Sequence, residues 1–149
     1  MRKMVLSACL LLAFAAPAVI AAQTPPPTSQ LLNKIPPNIL EGLEALRHDQ
    51  LDQTELSWKR GALAQLDGIS ATLRSDKENF GEYHGFDLIS LQEISPHIRV
   101  IYIALNYERG PQFKKFVSYR NSTGWVVLEP IQFLTLSDVT SVLTARPTN

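Results

Sequence analysis

The side chains able to do chemistry are few and scattered. Three histidines, His48, His84 and His97, stand far apart, and no pair shows a compact ligand spacing such as His-Glu-x-x-His. Turn and surface positions are expected for them, and no metal is implied. Ser-His-Asp chemistry would need a nucleophile elbow, and the chain has no Gly-x-Ser-x-Gly. Its seven glycines all stand singly, so no loop is built to cradle phosphate. Cys9 is the single cysteine and lies in a segment expected to be removed, which leaves neither disulfide nor thiolate. None of these patterns calls for a cofactor.

Lys114-Lys115, with Arg109 and Arg120 nearby and Phe113, Phe116 and Tyr119 between them, has the composition of a nucleic-acid stacking patch. Neighbouring strand residues point to opposite faces, so the two lysines cannot line one surface. A solvated sheet edge with snorkelling lysines is the expectation. The chain balances 14 basic against 14 acidic side chains, and no nucleic acid is expected as a partner. Asn121-Ser122-Thr123 matches a glycosylation sequon, but it falls on a hairpin turn where asparagine and glycine serve the backbone.

Met1-Arg2-Lys3-Met4, an apolar run from Val5 to Ala16, then Pro17 and small residues to Ala22 form the three-part pattern of a secretory signal. Cleavage after Ala21 or Ala22 assigns 1–22 to the signal and leaves no stable membrane anchor, with a periplasmic or secreted product. Leu6-Ser7-Ala8-Cys9 resembles a lipobox, yet most of the apolar sequence follows the cysteine rather than preceding it. Residues 23–30, with Pro25-Pro26-Pro27, read as an extended linker. One domain over 31–136 and a tail over 137–149 follow, a length that suits a single core.

Two stripes have helical spacing. Leu32, Ile35, Ile39, Leu43 and Leu46 make the first, with the main helix starting near Pro37. Thr54 to Arg60 adds a further turn. Ala62, Leu66, Ile69 and Leu73 make the second stripe, with Gly68 inside it. From Tyr83 the period becomes two. Strands are expected over Phe86–Glu93, Ile98–Glu108, Phe113–Arg120 and Trp125–Leu134, joined by turns at Ser95-Pro96-His97, Arg109-Gly110-Pro111 and Asn121–Gly124. Such short connections make an antiparallel meander. Pro130 cannot donate to a ladder and marks a bulge or an edge.

The second strand is apolar on both faces. Ile101, Ile103, Leu105 and Tyr107 point one way; Ile98, Val100, Tyr102 and Ala104 point the other. The helices can cover one face. The other requires the C-terminal tail, where Val139, Val142 and Leu143 suggest a short helix, or a second subunit. The fold class is α+β: N-terminal helices packed on a curved four-stranded antiparallel meander.

The stretch Ile98 to Pro111, then Phe113 to Tyr119, then Gly124-Trp125, resembles small exported bacterial proteins of the NTF2-like superfamily. These share a tyrosine-glutamate-turn-proline hairpin, an aromatic strand and a glycine-tryptophan strand start. Glu129-Pro130-Ile131-Gln132-Phe133 departs from the usual final strand. The resemblance implies a cone whose bent sheet wraps helices around a pocket, and a homodimer through the outer sheet face. It speaks to fold rather than activity. Members of the superfamily such as ketosteroid isomerase use a carboxylate base and a hydroxyl donor in an apolar cone. The parts here would be Asp87 or Glu93 with Tyr83, Tyr102 or Tyr107, none in a catalytic motif, so no catalytic residue is assigned. Trp58, Tyr83, Tyr102, Tyr119 and Trp125 are the candidates to line a pocket for a small apolar ligand. Non-enzymatic binding of such a ligand or of a protein partner is the leading expectation. A cone-pocket isomerase or lyase and a structural envelope-associated dimer are the alternatives.

Overall fold

A computed structural model describes residues 31–62 and 66–144. The expected signal and linker lie outside the described residues. Leu31 and Leu32 begin a turn closed by Lys34 N–H to Leu31 O at 3.0 Å and Ile35 N–H to Leu32 O at 3.1 Å. Pro36 then caps α1 (Pro37–Arg47), where the fixed φ of Pro37 suits a first turn with no amide to satisfy. Ile39, Leu43 and Leu46 bury one stripe of this helix.

The turn expected over Thr54–Arg60 is instead a complete helix, α2 (Leu51–Lys59). It is tied to α1 by polar bonds that its sequence pattern does not advertise. Thr54 Oγ1 donates to Gly42 O at 3.1 Å, and Trp58 Nε1 donates to Ile39 O at 3.1 Å. The third helix, α3 (Ile69–Phe80), begins later than the stripe from Ala62 suggests. Gly68 sits at its N-cap with φ 79°, a left-handed conformation that glycine adopts without steric cost and that ends the preceding segment.

The sheet is antiparallel in the order β1 (Tyr83–Ser95), β2 (Ile98–Tyr107), β3 (Gly110–Asn121), β4 (Gly124–Val127). Register shifts at three places along β1 increase twist and bend the sheet around the helices. The single last strand expected over Trp125–Leu134 is two, correcting four strands to five. Pro130 interrupts it, and β5 (Gln132–Leu134) re-pairs with the same edge of β3 further along, at Phe113, Lys114 and Lys115. The tail forms α4 (Leu136–Thr144), which packs on β5 and buries Val139. Its first residue falls within the expected domain boundary.

Ile101, Ile103, Leu105 and Tyr107 join Phe116, Val127 and the helix stripe in one core. Trp58 packs edge-on against Phe116 at 5.0 Å between centroids, filling the cone's centre. The β2–β3 hairpin is fastened to the end of α3 by Arg109 N–H to Phe80 O at 2.9 Å and Glu108 N–H to Glu82 O at 3.1 Å. Among the described residues no helix is long and apolar enough to cross a membrane.

Candidate functional site

Inside the cone, the inner face of β3 carries an unexpected group. Lys114 alternates in phase with Phe116 and Ser118, and its side chain therefore enters the core. It is 1% exposed, which corrects the solvated-edge reading; Lys115, one residue on, is the half-exposed member of the pair. Lys114 Nζ donates to Asp76 Oδ2 at 2.9 Å. Asp76 comes from α3, where it occupies the helical stripe of Ile69, Leu73 and Phe80 and is buried with the first two. The ammonium also lies 4.1 Å from the centroid of the Phe133 ring, its cross-strand neighbour on β5. Burial pushes the Lys114 amine below the usual lysine range, and the bond to Asp76 acts against that.

Tyr107 lies near this pair. Its hydroxyl is buried with no hydrogen-bond partner among the described residues, and the same holds for Ser118 Oγ. Burial, then the Asp76 charge and Tyr83, hold the Tyr107 phenol well above the usual range. Tyr83 packs on Tyr107 at 5.6 Å, and burial followed by the Glu44 carboxylate raises it likewise. Together the two tyrosines line a narrow cleft of about 30 Å³ with Leu46, Leu51, Leu73 and Lys77. That is room for water, against the several hundred Å³ of a drug-sized site. A second space of about 80 Å³ lies between the start of α3 and β5, lined by Leu66, Ile69, Thr72, Pro130, Ile131 and Phe133.

The other pocket candidates are dispersed. Trp58 is fully buried and serves as core. Tyr102 points to the outer sheet face, where its phenol is raised by burial. Tyr119 shares that face, near the His97 ring. Trp125 stands at the sheet end beneath the Arg99 guanidinium, 4.3 Å from the ring centroid. Of the five, Tyr83 is placed on a cleft.

The carboxylates proposed as bases do not enter the cone. Asp87 is exposed and accepts from Asn106 Nδ2 at 2.8 Å. Glu93 is exposed between Lys34, at 2.8 Å, and Arg99, at 3.0 Å, and the bond from Lys34 lowers its pKa. A carboxylate so stabilised in its charged form is a weak base. Among the described residues the buried carboxylate is Asp76, which belongs to no motif in the sequence.

On the outer face, β2 presents Val100, Tyr102 and Ala104 between Phe113, Val117 and Tyr119 of β3. Ser90 and Asp87 flank them on β1, and Lys115 stands on β3. Tyr102 and Ala104 are already below a tenth exposed. The buried stripes of α1 and α3 belong to the core on the opposite face.

No family model matches the chain. No curated protein matches it either. Among solved structures it is similar to a domain of unknown function with a cystatin-like fold from Nostoc punctiforme PCC 73102, at 8% identity and TM-score 0.48, over 78% of this chain and 86% of that one. It is also similar to an NTF-2 like protein of unknown function from Shewanella oneidensis MR-1, at 16% identity and TM-score 0.41, over 69% of this chain and 95% of that one. Neither description names an activity.

Proposed function

We propose that this domain is a non-enzymatic protein-binding module that pairs with a second copy of itself through the outer face of its sheet. The observation that carries the reading is the apolar strip Val100, Tyr102, Ala104, Phe113 and Val117 on the sheet face opposite the α1–α3 core. There Val100, Phe113 and Val117 are partly exposed around the buried Tyr102 and Ala104. A cone centre occupied by Trp58, Phe116 and the Lys114–Asp76 pair supports a docking face over a ligand chamber. The charges on the face favour a second copy as occupant. A two-fold axis parallel to β2 lays the β1 of one protomer over the β3 of its partner. Lys115, level with Tyr102 and Ser90 in the register, then faces Ser90 across the interface, three residues from Asp87 and within a lysine's reach of it. Because the arrangement is self-complementary, the same pairing occurs twice. With the export signal read from the sequence, such a dimer would act in the periplasm or outside the cell.

Light scattering of the purified chain across micromolar concentrations tests this. Twice the protomer mass is expected, with Val117→Glu giving a folded monomer, since a buried uncompensated carboxylate opposes association. A wild-type monomer at high micromolar concentration, or a dimer indifferent to Val117→Glu, would sink it.

A further inference from the structure

The interior lysine has no part in the proposed dimer face, and its surroundings are unusual for a cation. We propose that Lys114 is a covalent carbonyl-binding site: its amine, sealed beneath the Phe133 ring and beside the Asp76 carboxylate, condenses with a small aldehyde or ketone that carries an apolar body.

The geometry supplies each part. A lysine has three donors, and Lys114 spends one on Asp76 Oδ2 at 2.9 Å. Toward β5 its nitrogen lies over the Phe133 ring at 4.1 Å. Phe133 is 51% exposed and sits on a strand of three residues, so rotating it outward disrupts little packing. The space of about 80 Å³ beside Phe133 is lined by Leu66, Ile69, Pro130 and Ile131, with Asp67 and Thr72 as its polar members. Phe133 borders both this space and the amine, so displacing its ring joins the two into one largely apolar slot. The apolar walls suit a compact hydrocarbon or aromatic body, while Asp67, which lines the space beside Thr72, disfavours an anionic substituent.

The chemistry follows from the pair. An amine attacks only when neutral, and desolvation in an apolar site is one route to a nucleophilic lysine. Burial pushes Lys114 in that direction. Lys59 and Lys77 are held up instead by bonds to Asp67 and Asp49, which keeps them protonated. The Lys114 ammonium passes one proton to Asp76, and the nitrogen lone pair attacks the carbonyl carbon. The carbonyl π pair moves to oxygen, which takes the proton back from Asp76 to give a carbinolamine still protonated on nitrogen. Loss of the hydroxyl with one proton from nitrogen releases water and leaves the C=N bond. Ammonium and carbonyl thus become protonated imine and water, with Asp76 again a carboxylate beside it and no change of oxidation state, and a closed apolar site favours the dehydrated product.

Benzaldehyde with sodium cyanoborohydride is the probe, the hydride fixing any imine as a stable benzylamine. After reaction with the intact folded chain, peptide mass mapping is expected to place the benzyl group on Lys114 several-fold faster than on Lys59 or Lys77. Phe133→Ala, a change at a half-exposed ring that leaves the core intact, is expected to raise the Lys114 rate several-fold. Asp76→Asn, checked for folding by circular dichroism, is expected to slow it through loss of the proton relay. A purely structural pair predicts the reverse, because removing the carboxylate would lower the amine's hold on its proton. Labelling confined to exposed lysines, labelling of Lys114 only in urea, or a rate indifferent to Phe133→Ala would overturn the proposal.

Discussion

Trp58 occupies the space that a side chain on Gly42 would need. The indole lies against the α1 backbone at Gly42, where a Cβ would collide with its ring atoms, and its Nε1 donates to Ile39 O one turn earlier. Gly42 is a poor helix former in mid-helix, so its presence is explained by this close approach rather than by backbone preference. Gly42→Ala is therefore expected to destabilise the protein by about 2–3 kcal/mol, through overpacking and a weakened indole bond. Urea denaturation measures it. A variant as stable as the wild type would mean that α1 shifts away from Trp58 at no cost.

Lys114→Met should be costly for a different reason. It leaves the Asp76 carboxylate buried without its cation, and breaking a buried pair from one side typically costs about 3–5 kcal/mol. Replacing both members, Lys114→Met with Asp76→Leu, is expected to recover most of that loss, because desolvation of both charges disappears. Equal loss in the single and double variants, read from the same denaturation midpoints, would show that the pair is worth more than its desolvation.

Much of this architecture was legible because its signals are periodic. The two-faced apolar pattern of Ile98 to Tyr107 marks β2 as central, and Pro130 marks the place where the last strand breaks. The buried pair was less visible because charge identity masked position. Lys114 shares parity with Phe116, and Asp76 falls on the Ile69–Leu73–Phe80 stripe, so both periodicities pointed inward. Helix α2 was hidden because its buried face carries the polar Thr54 and Ser57 beside Trp58, and Thr54 and Trp58 hydrogen-bond to α1, which leaves a weak apolar period. The pocket candidates scattered because aromatic type reports burial but not which sheet face or edge a ring occupies.

The buried tyrosines set the alkaline limb of stability. Tyr83 and Tyr107 hold their protons above the range of a free phenol, near pH 10, while the unfolded chain releases them there. The unfolded state then binds fewer protons, so stability is intact below about pH 10 and declines as pH rises beyond it. Phenolate absorbance of the folded protein should lag behind that of the urea-unfolded chain. Tyr107→Phe should flatten the decline and, by removing a buried hydroxyl without a partner, leave neutral-pH stability equal or higher. Coincident phenolate curves for folded and unfolded protein would refute this.

The acid limb has a separate origin in a carboxylate that caps another helix. Glu55 on α2 accepts the Ser70 amide at 2.7 Å, an orphan donor in the first turn of α3, which carries no acidic residue in that turn. That bond comes first among the causes lowering its pKa, with Lys59 at 3.3 Å contributing and burial opposing. A depressed folded value means the stabilisation is fully present above the unfolded glutamate pKa, near 4.3, and is lost as pH falls through the folded one. Glu55→Gln keeps an oxygen for the Ser70 amide but no charge for the helix terminus. Denaturation midpoints from pH 7 down to pH 3 should therefore show a lower neutral-pH stability for Glu55→Gln and a shallower acid slope than the wild type. Parallel acid slopes would show that the carboxylate's charge, as distinct from its hydrogen bond, does not hold α3 in place.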